Sequence, residues 1–276
     1  MLSKLIRYNL KDAVRSMLPI SLGMLALSVF SSLLTTIALN RLSSSSLPGM
    51  TILSGLIDVL TIVCFIAVMV ICLASSIGRF YRMLGRQGYL ELSLPVTLHQ
   101  HIAAKLISAV ITTVLTIAFL FLCCIILMMP TQSANWLNVM FGQFMDYLHN
   151  APVLFNLLII LFMLASIAMF YLHTYLSCAI GGFFPQRRKL MSIVAFFLLQ
   201  VASQVIMIWV VSFAFNHMQT LIGLFQRFAV AMLNGSNGEL KFLYGSMAGA
   251  VVIEVLIDAV LWLITRMILT KSLNLP

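Results

Sequence analysis

An all-α polytopic membrane protein with six transmembrane helices is the fold class this sequence predicts, and three observations predict it. Hydrophobic residues make up 62% of the 276 positions and charged residues only 8%, with a mean hydropathy of +1.10. That balance lies far from soluble composition and makes lipid the solvent. Six separate apolar runs, 18–39, 52–77, 106–129, 153–180, 190–214 and 242–265, each reach the roughly 20 residues needed to cross about 30 Å of hydrocarbon. The basic residues, finally, gather in short segments that alternate between the two ends of those runs.

The elements follow in chain order. Residues 1–17 place Leu2, Leu5, Ile6, Leu10, Ala13, Val14 and Met17 on one helical face, with Lys4, Arg7, Lys11 and Arg15 largely elsewhere. This pattern predicts an amphipathic helix lying in the membrane interface ahead of the first span. The transmembrane domain then occupies 18–276. With the N-terminus in the cytoplasm, 13 of the 16 basic residues stay inside, and only Arg41, Arg227 and Lys241 fall outside. The positive-inside rule therefore places both termini in the cytoplasm. The segment 215–241 contains LIGLFQRFAVAML, which is apolar but short and interrupted by Gln226 and Arg227. It is read as short helices entering from the external face, with Asn234 to Gly238 as the turn before the last span.

The formal net charge of +9 would point to nucleic acid in a soluble protein. Here the cations border apolar runs, so they serve topology and contact with anionic membrane lipids, and no nucleic-acid partner is expected. Cys64, Cys72, Cys123, Cys124 and Cys178 all fall inside apolar runs, without the paired spacing of a zinc site or a disulfide framework. No metal site is expected. The first 17 residues alternate charged and apolar positions, so no cleavable leader is expected.

The cytoplasmic connection 78–105, GRFYRMLGRQGYLELSLPVTLHQHIAAK, is the most informative stretch. It combines basic residues, the aromatics Phe80, Tyr81 and Tyr89, glycines at 85 and 88 that turn the chain, and Pro95, which stops a helix. Thr97 and Gln100 fit a capping box that starts the third span. The pattern predicts a short helix held across the membrane surface, suited either to receive force from a partner or simply to sit as an interfacial segment. From Arg79 to Ser108 the run resembles the corresponding loop of bacterial ABC type 2 transporter permeases, in which F-Y-R/K leads to G-Y-L, then L-P-V, then a helix opening with His-Gln and a Lys. The N-terminal KLIRYNLKDAVRSMLP is similar to the start of those permeases. Where members commonly carry an acidic pair before Gly-Tyr-Leu, this chain has Arg86 and Gln87.

The resemblance implies the permease subunit of an exporter whose ATPase is a separate chain, working as a pair with a second copy or a paralogue. It implies a coupling helix over about 83–94, assigning ATPase coupling to Met83, Leu84, Gly85, Arg86, Gly88, Tyr89, Leu90, Glu91 and Leu92. The sequence contains no G-x-x-x-x-G-K-[ST] phosphate loop, so ATP and Mg would belong to the partner subunit and no cofactor is expected in this chain. It is expected to be a transport subunit without enzymatic activity of its own. A hydrophobic or amphipathic cargo, such as a peptide or drug, and a bacterial cytoplasmic membrane complete the expectation.

Three acids, Asp58, Glu254 and Asp258, lie inside predicted spans. A charge near the bilayer centre costs about 2.5–3.5 kcal/mol, so these side chains should face a helix or a wet cavity. Glu254 and Asp258 are four apart and share a face. They read either as a translocation path for cations or protons, or as interhelical hydrogen bonding. A proton-coupled secondary carrier using these three acids is the alternative function. His173, between Tyr171 and Tyr175, is a further candidate for a polar path or a packing histidine. His99 and His101, two apart, point to different sides of a helix and make a poor metal pair. Gly245 and Gly249 form G-x-x-x-G, a site of close helix approach within the chain or between two chains. No nucleophile beside a base is evident, which argues against an intramembrane enzyme.

Overall fold

The computed structural model of the chain describes residues 2–42, 48–84, 97–128, 139, 142, 143, 145, 146, 153–184, 186–216 and 238–272. Its elements are α1 (Leu2–Leu42), α2 (Pro48–Met83), α3 (Leu98–Met128), α4 (Val153–Gly181), α5 (Arg188–Asn216) and α6 (Gly238–Ser272). All six are long and apolar enough to cross a bilayer. Each expected span falls on a helix of its own, inside α2, α5 and α6, in the C-terminal part of α1, along nearly all of α4, and, but for residue 129, within α3. Where a helix exceeds its apolar run, as α1, α2 and α6 do, charged and polar turns extend it past the hydrocarbon. The shortest have 29 residues, which at 1.5 Å per residue is roughly 44 Å.

The first helix departs from expectation. Instead of an interfacial helix followed by a separate span, α1 is one continuous helix of 41 residues that passes through Pro19. Proline removes one backbone donor there, and apolar helices tolerate such a loss where neighbouring groups compensate. The amphipathic face of 1–17 has a packing use within the chain: Ala13 is completely buried and Met17 nearly so.

The helices group into two compact units, Met1–Ala151 and Pro152–Pro276. In the first, α1 packs on α2 and α3. Ser31 meets Asp58, while Asp12 meets Arg82 at 3.6 Å. One helix is therefore descended as the other is climbed, and α1 and α2 are antiparallel. The pairs Cys72–Thr116 and Arg79–Lys105 make α2 and α3 antiparallel in the same way. Met24, Val68, Leu120 and Cys123 close the junction of the three helices.

In the second unit α4 is central, packing on both α5 and α6. Residues Thr174 to Ala179 are consecutive and all buried, so this stretch is covered on every side. The α4–α5 connection is a tight hairpin: Gly182 donates to the Cys178 and Ala179 carbonyls, Phe184 to Gly181, and Met191 to Arg187. A Cβ at Gly181 would sit 2.8 Å from the backbone nitrogen of Ser192 and 2.9 Å from its Cα. The absent side chain is what lets α4 and α5 meet this closely. Phe155 stacks edge-on against Tyr244 and Ser166 meets Glu254. The contacts advance along both helices together, so α4 and α6 run parallel.

The interior interleaves apolar side chains with small hydroxyl-bearing ones, while the surface is greasy. Val153, Trp209 and Ile208 are 83%, 70% and 68% exposed, whereas Ser28, Thr61, Thr113, Thr116, Ser177 and Thr265 are buried. Most of these hydroxyls donate to a carbonyl three or four residues back in their own helix: Thr61 to Ile57, Thr116 to Thr112, Thr265 to Leu261. A hydroxyl satisfied within its own helix can be buried at little cost, and its small volume lets backbones approach. The exposed apolar surface is what a soluble protein avoids, and it suits lipid as solvent.

Candidate functional site

The acids are placed by serines from a neighbouring helix. Ser31 on α1 donates to Oδ1 of Asp58 on α2 at 2.6 Å. Ser166 on α4 donates to Oε1 of Glu254 on α6 at 2.5 Å. Such short distances fit a hydroxyl donating to a carboxyl group. Glu254 is 9% exposed. Its second oxygen, Oε2, and Oδ1 of Asp258 are buried without a hydrogen-bond partner among the described residues. In an apolar interior such atoms stand ready for a donor.

Asp258 follows Glu254 by one turn of α6, and His173 follows Ser166 by two turns of α4, which returns it to nearly the same face. Because α4 and α6 run parallel, these four residues form a polar line along one seam. Nε2 of His173 and the Tyr244 hydroxyl are also buried without a partner among the described residues. Three of the candidates, Glu254, Asp258 and His173, are thus brought to a common seam in the second unit. Asp58 belongs to the α1–α2 seam of the first.

A second polar group ties α2 to α3. Arg79 and Lys105, expected only as charges at a membrane surface, are 6% and 5% exposed. Nζ of Lys105 donates to the Arg79 carbonyl oxygen at 3.0 Å, and Nη2 of Arg79 donates to Ser76 Oγ at 2.9 Å. This clasp joins the end of α2 to the first turns of α3, below which the chain leaves and returns. Gln100 and His101 donate their backbone N–H groups to the Thr97 carbonyl, so α3 opens at Thr97 where the capping pattern put it.

Of the residues assigned to ATPase coupling, Met83 and Leu84 are buried at 0% and 8% exposure. Their apolar side chains anchor the end of α2. Gly85, Arg86, Gly88, Tyr89, Leu90, Glu91 and Leu92 lie outside the described residues, as does the external segment at 217–237.

Gly249 has open space where a Cβ would be, so no close helix approach occurs there among the described residues. The close glycine approach is at Gly181, which sequence spacing did not single out. His101 is buried and His99 half-buried. Among the described residues no group of three or more His, Cys, Asp or Glu is placed to hold a metal.

Fold and site together define a chain with six helices of membrane-spanning type and carboxyl groups held at two internal helix seams. Comparison with known proteins adds no relative: no protein-family model, curated protein or solved structure matches the chain.

Proposed function

We propose that this chain is the membrane-spanning subunit of an ATP-driven exporter of the bacterial ABC type 2 kind. It would sit in the cytoplasmic membrane with both termini inside, pair with a second copy or a paralogue, and move a hydrophobic or amphipathic substrate such as a peptide or drug. A separate ATPase subunit would bind ATP and Mg. The observation that carries this reading is the run Arg79 to Ser108, RFYRMLGRQGYLELSLPVTLHQHIAAKLIS, with its resemblance to the coupling loop of those permeases.

The Lys105–Arg79 clasp supports it mechanically. A segment that receives force between two helices is effective only if the helix ends beside it move together. Binding Lys105 to the backbone of Arg79 joins α2 and α3 at that point. Displacement of the 85–96 connection would then tilt both helices as one body and switch the path between inward and outward access.

The test is purification of the chain with its co-expressed neighbours in mild detergent, identification of every bound protein, and assay of ATP hydrolysis. A stoichiometric partner carrying a phosphate loop, with vanadate-sensitive hydrolysis, is the expected result. A chain that runs alone and hydrolyses nothing overturns the proposal.

A second reading is favoured by one specific observation, the buried oxygens of Glu254 and Asp258 that lack donors among the described residues. A proton-coupled secondary carrier would use them together with Asp58. It predicts substrate uptake in proteoliposomes driven by a pH gradient without ATP. Absence of such uptake removes it.

A further inference from the structure

The seam between α4 and α6 carries a succession of polar groups through an apolar interior. On α6 the buried positions Val251, Glu254, Thr265 and Leu269 recur at the spacing of one helical face. Asp258 falls on that stripe, four positions after Glu254 and seven before Thr265, while Leu256, Ile257 and Val260 beside it are exposed. The helix on which α6 packs is α4, so the stripe faces α4. On α4, Phe155 and Ser166 touch α6. His173 lies 18 positions beyond Phe155 and 7 beyond Ser166, five turns and nearly two, which returns it to the same line. His173 therefore faces the α6 stripe.

The Ser166–Glu254 bond sets the levels. Along the shared direction of the two helices, Asp258 stands roughly 6 Å and His173 roughly 10 Å beyond that bond, about 4–5 Å apart in rise. Oδ1 of Asp258 and Nε2 of His173 are buried, and neither has a hydrogen-bond partner among the described residues. Oε2 of Glu254, a residue 9% exposed, is likewise buried and unpartnered among them, and it belongs to the carboxyl group that Ser166 holds in the seam. One water spans a step of this size, donating to either neighbour and accepting from whichever carries a proton. The three groups are not placed to hold a metal ion.

Glu254 and Asp258 stand 10 and 14 positions beyond Tyr244 in the 27-residue span Tyr244–Thr270. Two ionised carboxylates at that depth are costly, so a proton accompanies the pair. Tyr244, at the far end of the seam, is the other titratable group on the facing stripes. Tyr171, Tyr175 and Cys178 lie on other sides of α4, and Arg266 is exposed beside the α6 stripe. Toward α4, α5 turns Ser192, Ala195 and Leu199, none of them titratable.

We propose that Glu254, Asp258 and His173 form a proton relay. The acid pair holds one proton, and His173 in its Nδ1–H form presents Nε2 as acceptor. In the transfer, the O–H bond at Asp258 breaks as the bridging water takes the proton and passes one of its own to Nε2, leaving a carboxylate facing an imidazolium. The number of protons and the net charge are unchanged. Beyond His173 the seam continues toward the α4–α5 hairpin through the buried hydroxyls of Ser177 and Thr265, which accept as well as donate. The relay deepens the second reading of these acids and rests on it only for the proton as ligand. It adds His173 as the group that passes the proton on and leaves out Asp58, which belongs to the first unit.

The test is hydrogen–deuterium exchange at the carboxyl groups of the full chain in lipid nanodiscs, followed by infrared spectroscopy after transfer to D2O. A protonated carboxyl band is assigned to the pair by its change in Glu254→Gln and Asp258→Asn and its persistence in Asp58→Asn. In the unaltered chain this band should move to its deuterated position. In His173→Asn and His173→Gln it should do so at least about tenfold more slowly, because an amide bonds the water but does not take up a proton. A merely loosened seam would exchange faster, and either variant serves where the other fails to fold, as read by circular dichroism.

Exchange as fast or faster in the His173 variants overturns the relay and assigns the acids to a water-filled path. A band that does not deuterate in the unaltered chain, or no protonated carboxyl assignable to Glu254 or Asp258, overturns it as well. The readout involves no cargo. Failure of pH-driven uptake therefore removes the carrier and leaves the relay, whereas unchanged exchange removes the relay and leaves the carrier.

Discussion

Glu254 is held by one short bond to Ser166, and its other oxygen is buried without a donor among the described residues. Ser166→Ala removes the donor and leaves both carboxyl oxygens unsatisfied. The expected loss is about 1–3 kcal/mol, the cost of an orphaned buried acceptor, read as a lower unfolding temperature in lipid nanodiscs. In a double-mutant cycle, Glu254→Leu should remove most of that effect, since no carboxyl then remains to be satisfied. Transport tests the same residues differently. Glu254→Gln with Asp258→Asn should weaken export of cationic cargo selectively, whereas equal loss for neutral cargo assigns the pair to structure. Gly181→Val is expected to destabilise by about 1–3 kcal/mol through overpacking, since the atoms its Cβ meets include Ser192 backbone. The acids were legible in the sequence because charge inside an apolar run is rare. Their partners were not: serine is common in such helices, and nothing in spacing distinguishes Ser31 or Ser166 from Ser28, which bonds its own helix at Leu25.

At the scale of elements, the six helices were legible because each needs an apolar run of membrane thickness, and such runs stand out without any tertiary information. The continuity of α1 was not. Its first 17 residues have the charge pattern of a surface helix, and Pro19 marks a natural place to end one; only the packing of Ala13 and Met17 distinguishes a continuation from a break. The α2–α3 clasp was hidden for a related reason. Arg79 and Lys105 are basic residues flanking apolar runs, the usual sign of a membrane boundary, and their burial depends on how side chains 26 residues apart come together. Lys105→Met should loosen the clasp while keeping the aliphatic stem packed. On the exporter reading, ATP hydrolysis then continues while transport per ATP falls severalfold, measured in proteoliposomes containing the partner ATPase. Tyr89→Asp or Leu92→Asp should uncouple more completely or release the ATPase, with membrane insertion preserved. Unchanged transport and assembly would remove the 85–96 connection from the coupling role.

The parallel course of α4 and α6 constrains the whole molecule's threading. The tight hairpin returns α5 toward the level at which α4 began. Since α6 then repeats the direction of α4, Asn216 and Gly238 must lie at the same membrane face. Sequence alone could not place these two ends at one face, because LIGLFQRFAVAML between them is apolar enough to enter a bilayer; the placement comes from Phe155–Tyr244 and Ser166–Glu254, contacts that fix helix direction. In the first unit, antiparallel neighbours likewise put the start of α1 and the 85–96 connection at one face. Combined with the distribution of basic residues, these two parities predict that cysteines introduced at 133 and 236 react with an impermeant maleimide in intact cells. Cysteines at 87, 186 and 274 should react only after permeabilisation. Opposite accessibility at 186 and 236 follows from the helix directions alone and should hold even if the charge rule were reversed. Equal accessibility of those two positions would require α4 and α6 to be antiparallel, contrary to both contacts. Agreement within each unit but inversion between them would instead place a net crossing in 129–152.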